Sequence, residues 1–370
     1  MSVSLERSFY IPTVTADSVE IRGYLPIGES ATLRFADTEF DLHPLIEDQE
    51  HFYFRHRLDG LVADAHYEVS INDRRLSFRT LKAPAAPRLL RLGLLPDSHL
   101  QPGAANRPIN KRAKRLYPLA ESLSKRYVAR MQSDGTDRIL FLGDTMDPMT
   151  ADTLSATRSI FSTVKIPCHP IIGNHELYGS RSAADFNQAF ELPDSGDYSI
   201  RHDKVTIICL ATPDQACLAR ESVQFKWLQR QLAANRGQII LIAAHFSLVL
   251  HPCVQGRRND GMQQVYDPGP VLELLAEHPN AVAWLAGHKN IPSKIIKDDT
   301  LHLLSPQLIQ YPCAYVTLDI YEDAIVHNTH EIIEQDVLHW SRGAYGQDYP
   351  ERHGEDRDRN FTWFFRSLPI

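Results

Sequence analysis

The sequence has few cysteines and no long apolar run. The five cysteines are odd in number, scattered along the chain and free of paired metal-site spacing. They are Cys168, Cys209, Cys217, Cys253 and Cys313. This usage favours reduced thiols, so we expect a cytoplasmic protein. The first residues contain no apolar stretch of signal-peptide length, and no run approaches the roughly 20 apolar residues that cross a bilayer, so we expect no membrane partner.

Positive charge is also scarce. The chain carries 39 Lys and Arg against 46 Asp and Glu, for a formal net charge of −7. General nucleic-acid binding needs a cationic footprint, so the composition disfavours a nucleic-acid partner. The basic stretch 111–115 lies at the start of a predicted helix over 110–131, and we interpret it as a solvated helix face. With 370 residues, of which 43% are hydrophobic and 23% charged, the chain is long enough for two globular domains.

Residues 1–82 predict a small all-β domain. Short strand candidates follow one another with turn residues between them, at the spacing of a β-sandwich. The candidates are 19–25, 31–35, 51–58, 66–71 and 75–80. Tyr67 follows Asp59-Gly60 in the manner of a tyrosine corner. The proline- and alanine-rich piece 83–87 predicts a short linker, and no residue of this region suggests chemistry.

From residue 88 onward, predicted strands alternate with helices, and five of the strands end in side chains that bind metals. In α/β sheets, ligands bind at the carboxyl ends of the strands, so these positions are candidates for a binding site. The strand ends are Asp97-Ser98-His99, Gly143-Asp144-Thr145-Met146-Asp147, Gly173-Asn174-His175-Glu176, His245 and Gly287-His288-Lys289-Asn290. Each one alone could be a turn or a helix cap. All five together predict a metal site.

This series resembles the motifs of the calcineurin-like metallophosphoesterase superfamily, which are D-x-H, GD-x-x-D, GNH-[DE], H and GH-x-H. The resemblance covers about residues 88–326 and implies an α/β fold, a four-layer α/β/β/α sandwich. The region before it is similar to the fibronectin-III-like all-β sandwich that precedes the catalytic domain of purple acid phosphatases. We therefore predict an N-terminal domain at 1–82, a linker at 83–87, a catalytic domain at 88–337 and an aromatic tail at 338–370. The tail would dock on the body or form a homo-oligomer contact.

The resemblance also implies a role for each matching residue. Asp97 and His99 would hold a first divalent ion, and Asp144 would bridge it to a second ion. The second ion would also bind Asn174, His245 and His288. Asn290 stands where the family has its last histidine, so the first ion would be held more weakly.

Three further roles complete the predicted site. His175 would assist the leaving group, and Asp147 and Glu176 would orient histidine rings, although a turn or cap explains Glu176 equally well. The weaker substrate-binding candidates are His251, Arg257 and Arg258, for which packing or an exposed loop is an equally good explanation.

Imidazole and carboxylate ligands without a thiolate suit Mn, Fe or Zn. Two such ions lower the pKa of bound water from ~16 to about 7, which supplies hydroxide for in-line attack at phosphorus. We therefore predict a metal-dependent hydrolase of small phosphate esters. Diesters are favoured, because His99 and Asp147 stand where purple acid phosphatases have glycine and tyrosine. The alternatives are a phosphomonoesterase and a non-catalytic scaffold whose metal site has eroded at Asn290.

Overall fold

The computed structural model describes residues 9–47, 51–72, 74–101, 103, 115–214, 218–254, 265–332, 337 and 352–365. Arg257, Arg258, Cys217 and most of the predicted tail lie outside these segments, as do residues 110–114 of the predicted helix. Within the segments, no helix has both the length and the apolar character that a membrane span requires.

Within its described residues, the N-terminal region contains eight strands in two four-stranded antiparallel sheets. The strands are β1 (Phe9–Val14), β2 (Ser18–Pro26), β3 (Thr32–Phe35), β4 (Thr38–Asp41), β5 (Ile46–Glu47), β6 (His51–Asp59), β7 (His66–Ile71) and β8 (Arg74–Arg79). The sheet orders are β1-β2-β6-β5 and β4-β3-β7-β8. Buried side chains from both sheets, such as Ile21, Phe54 and Leu33, form one apolar core. The Tyr67 hydroxyl accepts a hydrogen bond from Val62 N at 2.8 Å, as a tyrosine corner requires. The predicted all-β sandwich is confirmed.

The segments described after residue 82 form two six-stranded sheets. The strands are β9 (Leu90–Leu95), β10 (Arg138–Leu142), β11 (Cys168–Ile171), β12 (Tyr198–His202), β13 (Val205–Leu210), β14 (Ile239–Ala244), β15 (Ala281–Ala286), β16 (Ser293–Lys297), β17 (Thr300–Leu304), β18 (Ala314–Ile320), β19 (Ala324–Glu331) and β20 (Asn360–Phe364). The sheet orders are β11-β10-β9-β18-β19-β20 and β12-β13-β14-β15-β17-β16. The helices are α1 (Ala120–Ser133), α2 (Ala151–Ser162), α3 (Ala183–Ala189), α4 (Val223–Ala234) and α5 (Gly269–Ala276).

The strands at the centre of these sheets are continuous apolar runs because both of their faces are covered. Strands β13, β14 and β15 are buried at every position. Leucines such as Leu92 and Leu241 meet between the two sheets. On the outer faces, Tyr127 of α1 packs against the first sheet and Leu228 of α4 against the second. The predicted α/β/β/α order is therefore confirmed.

Helix α1 differs from the sequence prediction. It begins at Ala120, directly after a 3₁₀ turn over Tyr117–Leu119, rather than near residue 110. Proline at position 118 suits the first turn of a helix but restricts the residue before it, which explains the late start. Arg115 therefore lies outside the helix, and its side chain is only 16% exposed. The interpretation of this residue as part of a solvated helix face is wrong.

The described end of the predicted tail joins the first sheet. Strand β20 pairs antiparallel with β19 and is held against the N-terminal region, since Asn360 Nδ2 donates to Pro12 O at 2.8 Å. Near this contact, the Glu331 carboxylate forms ion pairs with two guanidinium groups. Arg22 of β2 lies 3.4 Å from it, and Arg359 of the single-turn helix Asp356–Arg359 also pairs with it. The domain limits themselves stay predictions.

Candidate metal centre

The predicted ligands lie where the carboxyl ends of the two sheets' parallel strands meet. Strands β9, β10 and β11 are parallel in one sheet, as are β13, β14, β15 and β17 in the other. Within the first sheet, His99 N donates to Asp144 O at 2.9 Å. Between the sheets, His288 N donates to Asp97 Oδ2 at 3.0 Å. The loops after β9, β10 and β15 therefore form one hydrogen-bonded surface.

Five of the predicted ligands have left-handed backbone. The φ values are 52° at Asp97, 45° at His99, 51° at Asp144, 65° at His288 and 61° at Asn290. Positive φ is uncommon for residues other than glycine, and such strain persists where surrounding structure holds it, typically at functional sites. At each of these strand ends the left-handed backbone turns the chain sharply, and the turn directs the ligand side chains towards the common site.

Two potential metal clusters share Asp144. The ligand atoms of Asp97, His99 and Asp144 lie within 4.8 Å of one another, and so do those of Asp144, His245 and His288. A shared carboxylate is what two adjacent divalent ions require. Asn174 belongs beside the second cluster, since its Oδ1 lies 3.1 Å from His245 Nε2.

Unpartnered donor atoms show that the first cluster fits a cation. Asp97 Oδ1, His99 Nε2 and Asn290 Oδ1 are buried, and none has a hydrogen-bond partner in the described part of the chain. Buried polar atoms are nearly always partnered, so three orphaned atoms at one strand edge call for a further group. A divalent ion satisfies a carboxylate oxygen, an imidazole nitrogen and an amide oxygen together.

A backbone carbonyl fixes the orientation of His245. Its Nδ1 lies 2.8 Å from Leu142 O and donates to it, which directs Nε2 into the site, 3.2 Å from Asp144 Oδ1 and 3.1 Å from Asn174 Oδ1. Hydrogen bonding of the other ring nitrogen is the usual way in which proteins orient a metal-binding imidazole. Gly143 leaves room for this ring, because a Cβ at that position would overlap it.

Asp147 contacts two of the predicted site histidines. Its Oδ1 lies 2.9 Å from His175 Nδ1, and its Oδ2 lies 3.4 Å from His99 Nδ1. The opposite nitrogens, Nε2, face Asp144 Oδ2 at 3.8 Å and 3.9 Å. Burial raises the pKa of Asp147, but His175 and His99 outweigh it and hold that pKa well below its usual range. Burial lowers the pKa of His175, and Asp147 and Asp144 more than compensate, so its net pKa is raised.

Three residues beside Asp147 did not stand out in the sequence. Gln101 Nε2 and the Tyr117 hydroxyl each donate to Asp147 Oδ2 at 3.4 Å, and Arg115 Nη1 lies 3.9 Å from the same oxygen. None lies in a motif, and Arg115 was part of a stretch interpreted as solvated. Arg115 Nη1 also donates to the Tyr117 hydroxyl at 3.3 Å, so the 3₁₀ turn that carries Tyr117 helps to hold Arg115 at the site.

Glu176 connects two loops of the site. Its Oε2 accepts from Gly173 N at 2.8 Å and Asp144 N at 3.0 Å, and its Oε1 accepts from Met146 N at 2.9 Å. Burial and the Asp144 charge raise its pKa to about 7. Glu176 therefore orients backbone amides rather than a histidine ring.

Replacing Glu176 with glutamine should destabilise the fold by about 1–3 kcal/mol, because a buried N–H then faces an amide donor. Chemical denaturation of the two proteins at pH 8, where the wild-type carboxyl is mostly ionised, measures the difference. Glu121→Gln, at an exposed carboxylate that pairs with Lys125 on α1, is the control and should change the midpoint little. Equal midpoints for Glu176→Gln and the wild type would contradict the bridging role.

Opposite charges stabilise each other in the second cluster. Burial raises the pKa of Asp144, but the charges of His245 and His99 outweigh burial and hold the pKa well below its usual range. Burial lowers the pKa of His245, and Asp144 raises it to a net value of about 9. The site is thus an anionic centre surrounded by imidazoles.

Asn174 has a partner that the sequence reasoning missed. Its Nδ2 donates to the Tyr178 hydroxyl at 2.7 Å, which directs the amide oxygen towards His245. The ring centroid of Tyr178 lies 4.6 Å from that of His175. Asn174 and Tyr178 are four residues apart, and Asn174 directly precedes the 3₁₀ turn His175–Tyr178. This spacing was a sequence signal that could have indicated the contact.

The described structure gives little support to the predicted substrate-binding residues. His251 is 1% exposed and shares a hydrogen bond with Ser293 Oγ at 3.0 Å. Burial, with His302 nearby, lowers its pKa to about 3, so this ring is neutral and is not presented to a substrate. Arg257 and Arg258 fall outside the described residues.

Comparisons with known proteins bear on the family and the fold of the chain. The calcineurin-like phosphoesterase family model matches residues 90–292. A dimetal phosphatase from Danio rerio has a similar structure, with a TM-score of 0.56 and 17% identity over 67% of this chain and 98% of that one. A purple acid phosphatase from yellow lupin (Lupinus luteus) seeds has a TM-score of 0.50 and 12% identity over 96% of this chain and 74% of that one. No curated protein matches the sequence. At these identities, the two structures show a shared fold.

Proposed function

The chain belongs to the calcineurin-like phosphoesterase family, and from this premise we propose that its metal centre hydrolyses phosphodiesters in preference to phosphomonoesters. The observation that carries metal-dependent phosphoester hydrolysis is the pair of clusters that share Asp144. Divalent ions at such a site supply Lewis acidity, which makes water a nucleophile at neutral pH and neutralises charge on the phosphoryl oxygens. We propose Mn, Fe or Zn from the mixture of carboxylate, imidazole and amide donors.

His175 protonates the leaving oxygen in this proposal. Its Nδ1 is occupied by Asp147 at 2.9 Å, and its Nε2 faces the Asp144 side of the site. Contact with Asp147 stabilises the imidazolium form, which is the form that can donate a proton from Nε2. The His175 side chain is 20% exposed, so it can reach a substrate that enters from solvent.

Charge at the site supports diesters over monoesters. A monoester arrives as a dianion, which needs cationic side chains beyond the metal ions, whereas a diester carries one negative charge. Two guanidinium groups lie beside the site in the described contacts, and both are already engaged by the protein. Asp147 offsets the charge of Arg115 at 3.9 Å, and Arg352 Nη1 donates to Lys289 O at 3.3 Å. Asp147 also stands where a purple acid phosphatase has its metal-binding tyrosine, and it contacts the rings of His99 and His175 instead.

Hydrolysis of two chromogenic esters tests the proposal. Metal-stripped protein is refilled separately with Mn, Zn, Fe, Co or Mg and assayed on bis(p-nitrophenyl) phosphate and p-nitrophenyl phosphate, with Asp144→Asn as the blank. We expect diester turnover that the blank lacks. Turnover of the monoester alone would favour a phosphomonoesterase. No turnover with any metal, together with no retained metal, would favour a scaffold.

Asn290→His should raise the affinity of the first site for Zn about tenfold or more, with a smaller gain for Mn, because imidazole is a softer and stronger donor than an amide oxygen. Asn290 already has a φ of 61°, which histidine tolerates better than most residues. Calorimetric titration of metal-free protein with each ion measures both affinities without reference to activity. Unchanged Zn and Mn affinities in the variant would show that residue 290 does not coordinate.

A further inference from the structure

Tyr178 presents an aromatic ring at the edge of the metal centre. The residue is 64% exposed. Single exposed apolar residues are common and need no explanation. Tyr178 differs because the hydrogen bond from Asn174 Nδ2, at 2.7 Å, holds its hydroxyl against a predicted metal ligand.

The ring is held beside His175. The two ring centroids are 4.6 Å apart at an interplanar angle of 48°, so part of the Tyr178 ring rests on the imidazole and the rest faces solvent. His175 Nε2 points towards Asp144, at 3.8 Å, which is where the phosphoryl group reacts in the proposed function. The Tyr178 ring contacts the same imidazole and is mostly exposed, so it borders the solvent side of the residue that would protonate the leaving oxygen.

A fixed, exposed aromatic ring beside this histidine favours one class of leaving group. Planar rings pack on aromatic side chains in offset or tilted geometries at centroid distances of about 4.5–7 Å. Because a hydrogen bond already fixes the Tyr178 ring, little conformational entropy is lost when a substrate stacks on it. Saturated groups of the same size lack a π-face and gain less from the contact.

We propose that Tyr178 selects phosphodiesters whose leaving alcohol carries a planar aromatic ring, such as a nucleoside or an aryl alcohol. The inference rests on the proposed function, because it places the leaving group by the position of His175. The hydroxyl of Tyr178 also orients the Asn174 amide, so one residue has two separable tasks. Its ring selects the leaving group, and its oxygen is a positioning group for the second ion.

Two substrates that differ only in the planarity of the leaving group test the first task. They are benzyl methyl phosphate and cyclohexylmethyl methyl phosphate, assayed on Mn-loaded protein by release of the ring-bearing alcohol. The analogues ethyl(2-phenylethyl)phosphinate and (2-cyclohexylethyl)ethylphosphinate have P–C bonds in place of both ester P–O bonds. Calorimetric titration with these phosphinates reports binding without turnover. We expect the wild type to prefer the phenyl-bearing member of each pair at least about fivefold.

Two variants separate the tasks. Tyr178→Leu removes the ring and should bring both preferences to about one. Tyr178→Phe keeps the ring and should keep both preferences above one, although weaker because no hydrogen bond fixes the ring, while the affinity for the second ion falls about tenfold because Asn174 loses its partner. Thermal unfolding of each variant checks that it is folded.

The outcomes distinguish this inference from the proposed function. Equal affinity for the two phosphinates in the wild type, or a preference that survives in Tyr178→Leu, would overturn the role of the ring. If neither diester is hydrolysed with any metal but the phosphinate preference exists and depends on the ring, the proposed function fails and the aromatic subsite stands. Unchanged metal affinity in Tyr178→Phe would overturn the positioning role of the hydroxyl.

Discussion

Asp144→Asn should lower kcat/KM for the diester by at least about 1,000-fold. Loss of a single charge-stabilising group costs about 100- to 1,000-fold in many enzymes, and Asp144 is shared by both candidate metal clusters. The fold should survive, because asparagine keeps the Oδ1 oxygen that accepts His175 N at 2.9 Å. Steady-state kinetics and metal analysis of the purified variant measure the loss of turnover and of bound ion.

Variants of two other aspartates provide the comparison for the loss of activity in Asp144→Asn. Asp147→Asn should cost about 10- to 100-fold, as expected for a residue that orients ligands without binding the metal. Asp152→Asn, at an exposed position in the first turn of α2, should leave kcat/KM unchanged. If Asp144→Asn keeps its metal content and loses no more activity than Asp147→Asn, Asp144 does not bridge two ions.

Glu331→Gln should lower the free energy of unfolding by about 3–5 kcal/mol, because it leaves buried arginines without their counter-charge. The side chains of Glu331, Arg22 and Arg359 are 6%, 4% and 1% exposed. The Tyr10 hydroxyl donates to the same carboxylate at 3.0 Å. Urea denaturation of the full chain at pH 7 measures the loss.

The effect of Glu331→Gln should depend on pH in a defined direction. Burial raises the pKa of Glu331, but Arg359 and Arg22 outweigh burial and lower it from its ordinary value of 4.5. A carboxyl with a lowered folded-state pKa stabilises the protein fully above its unfolded-state pKa, and this stabilisation is lost as the pH falls through the folded-state value. The gap between variant and wild type should therefore be constant near neutral pH and narrow below about pH 4.5.

The exposed carboxylate of Glu322, which pairs with Lys204, provides a control for Glu331. Solvent screens this pair, so Glu322→Gln should leave the urea midpoint close to that of the wild type. If Glu331→Gln behaves like Glu322→Gln, the buried charges are compensated in another way.

The sequence predicted the positions of the ligands better than their supporting contacts. Strands such as β10 and β14 are short apolar runs that end in polar residues, so their carboxyl ends, and with them Asp144 and His245, could be located from local pattern alone. Contacts between segments distant in sequence could not be located in this way. Arg115 lies near Asp147 beside the 3₁₀ turn that carries Tyr117, and no periodic pattern in the sequence indicates this turn.

Glu176 and β20 show the same limit. The role of Glu176 depends on where three backbone amides come together in space, and the residue type alone fits a cap, a turn or a histidine partner equally well. The segment of β20 was predicted as an aromatic tail, because its alternating pattern gains meaning only when β19 supplies a sheet edge.

The position of β20 has a consequence for biosynthesis. A ribosome releases β19 before it makes β20, so the edge of a sheet that is otherwise complete stays open while about thirty more residues are translated. An open β-edge can pair with another chain, and nascent polypeptides lie close together on a polysome. Strand β20 therefore covers this edge late in synthesis, and we expect slow translation or premature termination between β19 and β20 to divert the protein into aggregates.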